Sequence, residues 1–150
     1  MKRIALVALL VLLSVPATAG SLFPDAKPCF IAGNAGYQIS DSAAGAIIVR
    51  IDNAAAQPNL RMQLVDDAGS ADFVLVDDAD TIDACKGIAA IKTIRLDPAA
   101  AHADLTVSLS REPADFKIFV RSDVYTEQDA AALFAVIWKG SSGREFARRN

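Results

Sequence analysis

Leu105-Thr106-Val107-Ser108-Leu109-Ser110 and Phe116-Lys117-Ile118-Phe119-Val120-Arg121 are the most legible stretch of this chain. In both segments apolar and polar residues alternate with period two, which predicts two strands that each bury one face. Glu112-Pro113-Ala114-Asp115 turns the chain between them. Phe119 breaks the polar face of the second strand, so that face is expected to be partly covered.

The same pattern extends toward the N-terminus. Ile94 and Leu96 alternate with Thr93 and Arg95 and end at Asp97-Pro98; Leu60, Met62 and Leu64 alternate with Arg61 and Gln63. Phe73-Val74-Leu75-Val76 is instead a continuous apolar run with acidic borders, which reads as a strand covered on both faces. The short Asp66-Asp67-Ala68-Gly69-Ser70 turn predicts a hairpin between those last two strands. Cys29-Phe30-Ile31 reads as a short extended piece, and Gly33-Asn34-Ala35-Gly36 as a turn.

Two segments have helical period. Ala44, Ile47, Ile48, Ile51 and Ala55 fall on one helical face behind the capping candidates Ser40, Asp41 and Ser42. A helix from Ser42 to Ala56, stopped by Pro58, is preferred over the rival strand at Ile47–Ile51 that the β-branched residues would favour. Near the other end, Thr126 with Asp129 resembles a capping box. Ala130, Leu133, Phe134, Ile137 and Trp138 make the apolar stripe, with Gly140 as C-cap. This order lacks the strict βαβ alternation of nucleotide-binding folds. The expected fold class is α+β: a two-layer sandwich of about five mostly antiparallel strands with two helices packed on one face.

Met1-Lys2-Arg3, the apolar run Ile4–Val15 and the small residues Ala17 and Ala19 form an export signature. Residues 1–19 are expected to be a cleaved signal peptide, too short in its apolar run to span a membrane. Residues 20–140 then form a single domain and 141–150 a flexible tail. Stable membrane insertion after cleavage is not expected. The chain of 150 residues has formal charge −3, which argues against nucleic-acid binding, where phosphates demand a basic face. The expected location is periplasmic or secreted. Export implies an oxidising compartment, and two cysteines admit one pairing, so a Cys29–Cys85 disulfide is predicted.

Candidate chemistry is sparse. Asp77, Asp78, Asp80 and Asp83, with Asp66, Asp67 and Asp72 nearby, could supply oxygen ligands to a hard cation. The EF-hand pattern fails there, because Ile82 and Asp83 occupy its fifth and sixth positions. His102, the one histidine, has no G-x-S-x-G companion and reads as a loop residue. No phosphate loop precedes a helix, and no cofactor is expected. Arg144, Arg148 and Arg149 could contact an acidic partner from the tail.

Ala71-Asp72-Phe73-Val74-Leu75-Val76-Asp77-Asp78 and Asp129-Ala130-Ala131-Ala132-Leu133-Phe134 resemble segments of small uncharacterised exported proteins of Gram-negative, alphaproteobacterial genomes. At the level of element order, the chain is also similar to the N-terminal domain of the periplasmic protein TolB. Neither resemblance carries over a catalytic residue. The expectation is therefore a non-enzymatic periplasmic accessory protein that docks an unidentified periplasmic protein through a sheet edge or helix groove. The alternative is a small-ligand or divalent-cation binder using the acidic region.

Overall fold

The computed structural model describes residues 27–41, 44–76, 85 and 87–141. Strands β1 (Phe30–Ala32), β2 (Ala35–Ile39), β3 (Ile47–Ile51), β4 (Leu60–Leu64), β5 (Phe73–Val76), β6 (Ile91–Leu96), β7 (Leu105–Ser110) and β8 (Phe116–Arg121) precede helix α1 (Glu127–Gly140). They form one 8-stranded sheet in the order β1-β2-β6-β3-β7-β4-β8-β5. Every neighbouring pair is parallel except β1–β2. The chain therefore lays down β2, β3, β4 and β5 with gaps, and β6, β7 and β8 later fill those gaps.

Parallel neighbours usually need a crossover of about a dozen residues or more, because the chain must return along the strand. Here it does not return. Ile51 at the end of β3 and Leu60 at the start of β4 both pair with Val107 of β7. Leu96 and Leu105 share Val49, Leu109 and Phe116 share Met62, and Leu64 and Phe73 share Ile118. Ile39 and Ile47 share Ile94 in the same way. Each new strand starts at the level where the last one stopped, so a short arch over a single strand suffices. The shared residues are the centre of the core: Val49, Ile94, Val107 and Ile118 are 0% exposed and Met62 is 1%. This stagger also curls the sheet, since strands offset along their length must tilt about a common axis.

A repeated side-chain clamp fixes the arches. Asn59, Asp72 and Asp104 each stand one residue before a strand. The Asp104 amide donates to Ile48 O at 2.9 Å while its carboxylate accepts from the Ile48 amide at 2.8 Å. Asp72 does the same with Lys117, and Asn59 with Thr106. The bridged strand has no backbone neighbour below the start of the new one, so the side chain supplies the missing acceptor.

Helix α1 lies in the concavity. Thr126 and Asp129 form a reciprocal capping box, and every residue from Asp129 to Val136 is buried. A helix covered on all sides needs partners all round, and the curl provides them. Ala130, Ala131, Ala132 and Ala135 leave room for strands to approach. The two sheet edges come together beside the helix: Phe30 of β1 and Phe73 of β5 have ring centroids 5.9 Å apart, and Phe73 continues onto Phe134 of α1 at 5.5 Å. The edges meet through side chains, with no ladder between β1 and β5. Residues before β1 are tied to the helix end. The Lys27 ammonium pairs with the buried Asp129 carboxylate and donates to Val124 O, and the Tyr125 hydroxyl donates to Pro28 O.

The two-layer sandwich of about five antiparallel strands and two helices is thus wrong. Alternation usually signals antiparallel strands, because the crossovers of a parallel sheet cover both of its faces. The short arches leave much of this parallel sheet's outer face polar and wet, so alternation survives in parallel strands. The expected helix Ser42–Ala56 is replaced by β3: Gly45 adopts φ 73°, outside helical space, and the β-branched run takes the strand it prefers. The expected hairpin of β4 and β5 is replaced by two strands that both flank β8. Gly36 lies in β2 rather than in the turn, and Gly140 ends α1 with Ser141 as its C-cap.

Candidate functional site: the β5 edge and its seam with β1

The sequence candidates fare unevenly. Cys29 and Cys85 form the predicted disulfide, with Cα atoms 5.7 Å apart. The bridge packs on the outer face against Gly36, where a Cβ would stand 2.5 Å from Cys85 Sγ and 3.2 Å from Cys29 Sγ. Asp77, Asp78, Asp80 and Asp83, and the tail arginines Arg144, Arg148 and Arg149, lie outside the described residues. Asp66, Asp67 and Asp72 are described and each has structural work. Asp66 accepts from Arg111 at 2.8 Å, Asp67 caps the short 3-10 turn Ala68–Ser70, and Asp72 clamps Lys117. His102 is exposed in the arch over β3. Among the described residues, no three His, Cys, Asp or Glu side chains converge as a metal site would require.

A cleft of about 460 Å³ is lined by Gln63 to Asp67, Ser70 and Arg111. It is open to solvent. Arg111 is engaged there by Asp66 and faces Glu127 at 3.8 Å. The hydrogen bond to Asp66, then its charge, pushes the guanidinium further toward the protonated form. A paired, exposed arginine in an open cleft offers no acid–base chemistry.

The distinctive surface is at the edge of the sheet. β5 has β8 on one side and, among the described residues, no ladder partner on the other. The Asp72 amide points to β8, so by strand alternation the amides and carbonyls of Phe73 and Leu75 face the free side. Val74 and Val76 point outward and are each 43% exposed; across the seam, Ile31 of β1 is 40% exposed. This overturns the reading of Phe73–Val76 as a strand covered on both faces. Next to β5, β8 sets Phe119 level with Val74 and Arg121 level with Val76. A smaller cleft of about 230 Å³ opens at Val76, Arg121, Ser122 and Asp123.

No family model, curated protein or solved structure matches the chain. The site therefore rests on its geometry. The four-residue apolar run Phe73–Val76 carries no lysine or proline of the kind that guards an edge strand, but nothing in the run itself marks it as an edge. No described helix is long and apolar enough to cross a membrane.

Proposed function

We propose that the chain is an exported, non-enzymatic binding domain that takes up an extended segment of a partner protein as an added strand at the β5 edge. The observation that carries this is the edge itself: backbone groups at Phe73 and Leu75 that have no ladder partner among the described residues, beside the exposed Val74 and Val76. Strand addition uses these two elements, main-chain hydrogen bonds for affinity and alternate side chains for selectivity. The disulfide and the export signature support an oxidising, periplasmic setting.

The test is amide hydrogen exchange on the oxidised protein. The Phe73 and Leu75 amides should exchange quickly in the free protein and slow on adding short extended apolar peptides. The Val74→Lys variant, which stays folded because the site is exposed, should lose that protection. Protection absent at both amides with every peptide would remove the proposal.

A further inference from the structure

We infer that the segment received at this edge carries acidic residues at both ends of an apolar core, an inference that rests on the docking reading above. β8 projects Lys117 and Arg121 from its outer face, on either side of Phe119. Neither side chain has an ion-pair partner among the described residues. Being four residues apart in a strand, they stand about 13 Å from one another. The register places Arg121 level with Val76, and Lys117 level with Asp72 at the strand's start. The Asp72 carboxylate is already taken by the Lys117 amide. The exposed valines of β5 thus lie alongside an apolar–cationic row on a chain whose overall charge is −3. Lysine and arginine side chains are long enough to cross over β5, about 4.8 Å away, and meet a carboxylate that reaches back from a strand added beyond it.

The seam decides what form the ligand takes. β1 stands opposite β5, held there by the Phe30–Phe73 contact. A second copy of this chain would bring its own neighbouring strand behind its edge and meet β1. A single extended chain carries nothing behind it. Its outward side chains at alternate positions fall beside Val74 and Val76, and its inward ones face Phe73 and Leu75. Acidic residues four positions apart on the outward face match Lys117 and Arg121. The ligand class is an extended peptide of the pattern acid, three apolar residues, acid.

The experiment is fluorescence anisotropy with labelled peptides whose core reads Glu-Val-Val-Val-Glu, and matched peptides with Gln or Lys at both ends. The Glu peptide should bind the oxidised protein about tenfold more tightly than the Gln peptide, and the Lys peptide more weakly still. The gap should narrow at high salt. In the Lys117→Glu/Arg121→Glu variant the order should invert. Inversion separates a charge contact from a loss of folding, which would weaken every peptide alike. Equal binding of Glu and Gln peptides overturns the charge assignment and leaves the edge as a docking site. Binding of none of them overturns both.

Discussion

Phe30 and Phe73 stand on opposite edges of one sheet, yet their rings touch at 5.9 Å between centroids. This contact continues through Phe134 to Phe116 and Trp138, so an aromatic row runs from the seam along the helix. Phe73→Ala should cost about 3 kcal/mol, the low end for phenylalanine truncation because Phe73 is only half-buried. Phe30→Ala should cost less, since Phe30 has one ring partner among the described residues. A double-mutant cycle by urea unfolding should give a coupling of about 1 kcal/mol. Additive costs would mean that the rings do not hold the edges together.

Gly36 is required by the disulfide rather than by its own backbone. Gly36→Ala should destabilise the oxidised protein by about 1–3 kcal/mol, the usual range for overpacking. The penalty should largely vanish in a Cys29→Ala/Cys85→Ala background, although that background is itself about 4 kcal/mol less stable for a bridge of sequence separation 56. Thermal unfolding of the four proteins checks both statements. A glycine penalty that persists without the bridge contradicts the steric account.

The arch clamps predict a pattern across three sites. Replacing Asn59, Asp72 or Asp104 with Ala removes a side-chain acceptor from a strand amide and should cost about 1 kcal/mol each, limited by nearby water. Asp72→Asn and Asp104→Asn keep an acceptor oxygen and should cost clearly less. Amide exchange should locate the damage at Thr106, Lys117 and Ile48, the residues whose amides are clamped. Exchange that quickens only at the substituted residue would sink this account.

Lys27 neutralises a carboxylate that is 4% exposed, while its own side chain is 28% exposed. Lys27→Met should therefore cost about 2 kcal/mol, below the 3–5 typical of a fully buried pair. Lys27→Met/Asp129→Asn should cost less than the two single variants added together, because Thr126 still caps the helix. Chemical denaturation of the four proteins decides it, and strict additivity would rule out the pair as a unit.

The strands were legible wherever side chains alternate, at Leu60–Leu64, Leu105–Ser110 and Phe116–Arg121, because their inner face is apolar and buried while their outer face carries mostly polar side chains. The capping box of Thr126 and Asp129 and the Cys29–Cys85 pairing were also legible, as both depend on few residues. Strand direction was not. Alternation reports which face is buried and nothing about the neighbour, and the interleaving depends on a stagger that appears only when Ile51 and Leu60 meet the same Val107. Ile47–Ile51 misled because a short β-branched run satisfies helical and strand spacing alike. The docking edge was hidden for a related reason: Phe73–Val76 looks the same in the middle of a sheet as at its margin.

The interleaving makes the two halves of the chain complementary fragments. Among the described residues up to Val76, the only strands that have met a partner are β1 and β2; every other described ladder waits for β6, β7 or β8. A chain threaded through a pore from its N-terminus cannot begin to lock its sheet until those later strands follow. Cut between Val76 and Ile91 with the Cys29–Cys85 bridge reduced, it should give two pieces that each lack the parallel ladders and complete their sheet only on each other, which makes this fold a natural split reporter.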